Sequence, residues 1–186
     1  MKTLAGKSGV PAIVLALVLA TAAAAGQQNV HATIVPQTSR TAAPAFGIPD
    51  ASGKNVQLSD YRGKVVLLNF WATECGGCKI EIPWFIEMES AHKSDSFTVV
   101  GVSMDTSYGT TKSADQAWSS VKPFVADHKL NYPIVMGDYT LMGSYKLVAL
   151  PATYLIDKQG RIAAAYGGVV DKSDVDANIK TLLAEQ

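Results

Sequence analysis

Two stretches of this chain are apolar at nearly every position rather than at alternate ones: Val65-Val66-Leu67-Leu68-Asn69-Phe70-Trp71 and Phe97-Thr98-Val99-Val100-Gly101-Val102-Ser103. A strand with one face in water alternates, so continuous runs predict strands covered on both faces. Between them, residues 76–92 read as a helix interrupted at Pro83, and residues 104–113 as a polar loop. Residues 114–129 read as a second helix, kinked or broken at Pro123 because proline has no N–H to donate. A short strand at 134–136 and a short helix at 139–145 follow. Two strands, 153–156 and 161–166, flank the turn Asp157-Lys158-Gln159-Gly160, and residues 174–183 close the chain as a helix. Upstream, 46–50 and 55–58 flank the turn Ala51-Ser52-Gly53-Lys54 and predict a hairpin. Strands that alternate with helices and end in a hairpin imply an α/β three-layer sandwich with a mixed central sheet. No internal repeat and no second domain is visible.

The first 25 residues have a different pattern. Lys2 and Lys7 precede an apolar run from Val10 to Ala20 and then the small residues Ala22-Ala23-Ala24-Ala25-Gly26. This is the layout of a secretory signal, and its apolar part falls short of the roughly 20 residues a bilayer-spanning helix needs. Cleavage is expected after Ala24 or Ala25, or later at Val30-His31-Ala32; a retained membrane anchor is the alternative. Residues 26–44 read as a flexible linker in which His31 is no ligand, and residues 45–186 as the folded domain. With 16 basic and 16 acidic residues in 186, the chain has no electrostatic case for nucleic acid. Its 48% hydrophobic content excludes a disordered chain.

The chemistry is concentrated at Cys75-Gly76-Gly77-Cys78, which holds the chain's two cysteines. As a staple the pair closes so small a ring that it removes little chain entropy. As a zinc site it is half of the four ligands a closed site takes, with His31, His92 and His128 in unrelated contexts. A redox role explains the position. A covered strand, a short loop and a helix starting near Cys75 put that sulfur where free N–H groups and the helix dipole stabilise a thiolate. Cys78, one turn further in, is then the resolving thiol. Glu81 lies another turn on, sharing a face with Phe85 and Met88. If that face is inward, desolvation raises the carboxyl's pKa and suits it to exchange the Cys78 proton. The alternative is a first-turn carboxylate facing water.

The segment Val65 to Pro83 resembles the active-site segment of the TlpA/ResA family of thioredoxin-like thiol:disulfide oxidoreductases, which are secreted or tethered to a membrane. Leu58-Ser59-Asp60-Tyr61-Arg62-Gly63-Lys64, Asn131-Tyr132-Pro133-Ile134 and Leu150-Pro151-Ala152-Thr153-Tyr154-Leu155-Ile156-Asp157 extend the resemblance to the whole domain. It implies a thioredoxin-like sandwich with an N-terminal hairpin and a central helix–strand insertion. It also implies a cis Pro151 that, with Leu150, presents backbone to the substrate; Trp71, which flanks the motif in sequence, is expected to pack beside the thiols and to join that substrate contact. Asn69 stands where thioredoxins place a buried acid, and some family members carry an acid at the position of Glu81. Two residues depart from the pattern: Glu74 replaces the common Trp, and Gly77 stands in a dipeptide that commonly carries Pro.

The expected activity is protein disulfide exchange outside the cytoplasm, in the reducing direction. Cytochrome c maturation is one example of such a task. Protein thiols and disulfides are the expected partners, with a membrane electron donor. The chain is expected to be monomeric and to need neither cofactor nor metal. Two alternatives compete. A copper-handling protein would use the two thiolates, because soft sulfur ligands suit Cu(I). A peroxiredoxin shares the fold, but needs Thr or Ser three residues before the reactive cysteine, where this chain has Ala72.

Overall fold

The computed structural model describes residues 29–108 and 113–185. The expected signal segment, and residues 109–112 of the polar loop, lie outside the described residues. The chain runs β1 (Gly47–Pro49), β2 (Asn55–Gln57), β3 (Val65–Trp71), α1 (Gly76–Ala91), β4 (Phe97–Ser103), α2 (Ala114–Asp127), β5 (Ile134–Met136), α3 (Tyr139–Ser144), β6 (Ala152–Ile156), β7 (Ile162–Gly167) and α4 (Lys172–Ala184). The first two strands pair antiparallel as the expected hairpin. The other five form one sheet in the order β5-β4-β3-β6-β7. β3 runs parallel to β4 and antiparallel to β6, so the sheet is mixed.

Every residue of β3 and β4 is buried, as their unbroken apolar runs predict. Val65, Leu67 and Trp71 join a core with Ile82 and Phe85 of α1, Val121 of α2 and Ile179 of α4. Val66, Leu68 and Phe70 join a second core with Val56 of the hairpin and with Leu141 and Tyr145 around α3. Helices on one face and the hairpin with α3 on the other make the three layers.

The structure corrects three readings. α1 and α2 each run without a break through Pro83 and Pro123. Both prolines are exposed, so the carbonyl that each leaves unbonded one turn earlier can be solvated. The third correction concerns the expected linker. Its described part, residues 29–44, runs along β7 and α4: Val30 bridges Val170, and Ala42 bridges Arg161. The Arg40 guanidinium is buried with Asp157 at 3.1 Å and Glu185 at 2.6 Å. A tether in water would not bury an arginine, and these paired carboxylates are what make the burial tolerable.

Candidate active site

β3 ends at Trp71, and Ala72-Thr73-Glu74 carry the chain over to α1. A buried carboxylate fixes this crossing. The Thr73 N–H donates to Asp105, the Thr73 hydroxyl donates to it at 2.5 Å, and the Ser103 hydroxyl at 2.7 Å. Asp105 thus ties the end of β4 to the loop that delivers the first cysteine. Its signal in the sequence is an Asp two residues after Ser103 at the close of an apolar run, which residue type alone does not distinguish from a polar loop.

Cys75 is the N-cap of α1 and is joined to Cys78 by a disulfide with the two Cα atoms 5.3 Å apart. The Cys78 N–H points at Cys75 Sγ, 3.2 Å away. That donor and the other free N–H groups of the first helical turn favour negative charge on this sulfur once the bond is reduced. Cys78 is wholly covered and Cys75 nearly so, at 0% and 3% exposure. Between them Gly76 has open space around it, whereas a β-carbon on Gly77 would meet Val169 Cγ2 at 2.8 Å and Pro151 Cδ at 3.1 Å.

Glu81 faces inward and is 0% exposed. Its Oε1 accepts the Val170 N–H at 2.7 Å, and its Oε2 is buried without a hydrogen-bond partner. Desolvation pushes its pKa up to about 8; the Val170 N–H and the nearby Asn69 amide pull the other way without offsetting it. Asn69 itself donates to Thr153 across the β3–β6 pair. Glu74, in contrast, is exposed.

The Leu150–Pro151 peptide bond is cis, and the Pro151 ring lies against Gly77. Leu150 is half-buried and lines a small apolar cleft of about 90 Å³ with Met104, Tyr108, Met142 and Val148, the last of these almost fully exposed. Trp71 does not belong to this surface. It is completely buried and packs on Phe124 with ring centroids 5.1 Å apart, so it has no face to offer a substrate. Trp84 is half-buried and lines a roomier cleft between α1 and α4, beside Glu87, Lys172 and Asp176. His92 caps α1 with its ring between Asp95 and Asp176. Among the described residues no group of three or more His, Cys, Asp and Glu side chains could hold a metal ion.

The chain matches the AhpC/TSA family over residues 40–165. It is 33% identical over 141 residues to the thiol-disulfide oxidoreductase ResA of Geobacillus kaustophilus (strain HTA426), with 75% of each chain covered. Two crystal structures share the fold. One is a thioredoxin-family thiol:disulfide interchange protein from Chlorobium tepidum TLS, with TM-score 0.67, 25% identity, and 78% of this chain and 97% of that one covered. The other is a secreted thiol-disulfide isomerase from Corynebacterium glutamicum, with TM-score 0.70, 25% identity, and 84% and 93% covered.

Proposed function

Since the chain belongs to the AhpC/TSA family, and within it to the TlpA/ResA-like thioredoxin-fold thiol:disulfide oxidoreductases, we propose that Cys75 and Cys78 carry out the exchange, reducing protein disulfides outside the cytoplasm. The observation that carries this reading is the Cys75–Cys78 disulfide at the N-cap of α1, with the Cys78 N–H aimed at Cys75 Sγ.

In the reduced protein the Cys75 thiolate attacks one sulfur of a substrate disulfide. A mixed disulfide forms, and the other substrate sulfur leaves and takes up a proton. In the fraction of molecules whose Glu81 is ionised, a fraction that grows as pH approaches 8, Cys78 then gives its proton to that carboxylate one turn along α1 and attacks Cys75 Sγ. The second substrate sulfur departs as a thiol, and the Cys75–Cys78 disulfide remains. Two electrons have passed to the substrate, and a second dithiol must return the protein to its reduced form. A membrane partner is our proposed source, because an oxidising compartment supplies no reductant of its own.

Leu150, Pro151 and the apolar cleft beside them form the proposed contact surface for the peptide around the substrate disulfide. The signal segment read in residues 1–25 gives the address, and maturation of c-type cytochromes is one task of the right chemistry. The domain is proposed to act as a monomer. The test is insulin-disulfide reduction beside a measured reduction potential and an anaerobic Cu(I) titration. Reduction of insulin with a potential below that of the surrounding thiol pool is expected; a strongly oxidising potential would reverse the direction, and tight Cu(I) binding without insulin reduction would replace the function.

A further inference from the structure

The loop between β7 and α4 touches the thiol helix twice. Val169 fills the space beside Gly77, and the Val170 N–H donates to Glu81. The same loop is held from its outer side by the N-terminal segment. The Val30 N–H donates to the Val169 carbonyl at 2.7 Å, and the Asp171 N–H donates to the Val30 carbonyl at 2.9 Å. One residue of the N-terminal segment therefore fixes the peptide groups on both sides of Val170. Gly168, at φ 129°, leaves Val30 Cγ2 room that a side chain there would crowd at 3.2 Å. The segment is anchored further along. The Ala32 N–H donates to Asp174, its carbonyl accepts from Asn178, and the Val35 N–H donates to Ala163 of β7.

We propose that residues 29–35 are a positioning strap for the catalytic centre, in which Val30 clamps the Val169–Asp171 loop and so keeps the Val170 N–H on Glu81. The inference rests on the reading of Glu81 as the proton acceptor for Cys78. Tyr132, ahead of β5, feels the charge of that carboxyl, Cys78 precedes it by one turn of α1, and β3 contributes the non-titrating Asn69. The loop and α4 contribute Asp171 and Asp174, and the strap contributes His31, 3.4 Å from Asp174. Short loops open at low free-energy cost, and each backbone bond from Val30 raises that cost. Once loosened, the loop admits water to a carboxyl whose properties are set first by desolvation.

The experiment compares V30P, V35P and E81Q in the purified protein. V30P deletes the donor to Val169, while V35P deletes a donor on the same strap whose acceptor lies in β7. Hydrogen exchange at the Val170 amide should be roughly tenfold faster in V30P than in V35P. The pH profile of thiol exchange should move down by about half a unit or more in V30P and stay in place in V35P. Unchanged Val170 protection in V30P, or equal effects of V30P and V35P, would overturn the strap. A profile that E81Q leaves untouched would instead remove the proton-acceptor reading, and the clamp would then stand or fall on the Val170 exchange alone. Should V30P not fold, a chain beginning at residue 32 lacks the same two bonds.

Discussion

A β-carbon on Gly77 would lie 2.8 Å from Cγ2 of Val169, closer than side-chain carbons approach, whereas Gly76 next to it has nothing within 4 Å. The two glycines of the CGGC motif are therefore not equivalent. One is free, and the other lets the β7–α4 loop and the Pro151 ring close on the start of α1.

Gly76→Ala should be neutral or stabilising by up to about 1 kcal/mol, from the loss of glycine's backbone freedom in the unfolded chain. Gly77→Ala should instead cost about 1–3 kcal/mol through overpacking and should alter the rate of disulfide exchange. Val169→Ala in the Gly77→Ala background should restore much of the loss. Denaturant unfolding of these three variants and of Val169→Ala alone gives the coupling, and equal effects at positions 76 and 77 would refute the contact.

Glu81→Gln should slow the resolving step by roughly 100-fold and flatten the pH profile of exchange. Its effect on stability has a definite sign. The buried carboxyl holds its proton up to about pH 8, against an ordinary value of 4.5. The folded state thus binds the proton more tightly than the unfolded chain, and the wild type loses stability as pH rises through this window. The glutamine variant escapes that loss, so its advantage should grow from pH 5 to pH 8 by an amount on the order of a few kcal/mol. Unfolding of the oxidised proteins at several pH values measures it; a constant difference would mean that the group does not titrate there.

Cys78→Ser should accumulate mixed disulfides with substrate, and Cys75→Ser should not. In the reduced protein, iodoacetamide at neutral pH should label Cys75 first, because the Cys78 N–H and the start of α1 favour its thiolate. Faster labelling of Cys78 would exchange the two roles.

Arg40→Ala should cost about 3 kcal/mol of stability while the exchange rate and its pH profile stay as in the wild type. Burial alone would raise the Asp157 pKa, but the Arg161 N–H, Arg40 and the Arg161 side chain hold it below the usual carboxylate range. Losing Arg40 leaves a carboxylate with 2% exposure short of a partner. Thermal melts read the loss, and a fall in activity without a fall in stability would contradict this assignment.

Cleavage of the signal segment should leave Asn29 on the mature protein. Cutting after Ala32 would remove Val30 together with its bonds to Val169 and Asp171, so the expected site is upstream, after Ala24 or Ala25. N-terminal sequencing of secreted material decides it: a first residue at position 33 would rule out the strap in the working protein.

What the sequence made legible were features that repeat locally or act over one helical turn. The apolar runs announced β3 and β4, and the face that Glu81 shares with Cys78, Phe85 and Met88 marked it as a candidate inward carboxyl, with a carboxylate facing water as the alternative. The missed features join distant parts of the chain through backbone groups. Val170 meets Glu81 through an N–H that any residue would supply, and Val30 holds the loop through its own peptide groups. Such contacts leave no mark in residue type. Residues 29–44 looked like a linker for the same reason, since their pairing depends on β7 and α4, more than a hundred positions away. Trp71 packs in one core with both cysteines, and only its expected part in the substrate contact fails, because nearness in sequence to the motif does not tell whether a ring reaches the surface.

The Arg40 cluster has a practical consequence that follows from strand register. β6 begins next to Pro151 and ends at Ile156, and Ile156 pairs with Val66 at the start of β3, whereas the CGGC motif follows the end of β3. Arg40, Asp157 and Glu185 therefore gather at the opposite pole of the sheet from the thiols. A resin, an electrode or a fused carrier attached through the Glu185 end of α4 would leave the redox pole facing outward. The domain can be oriented on a surface by that handle without obstructing the approach of a protein as large as itself.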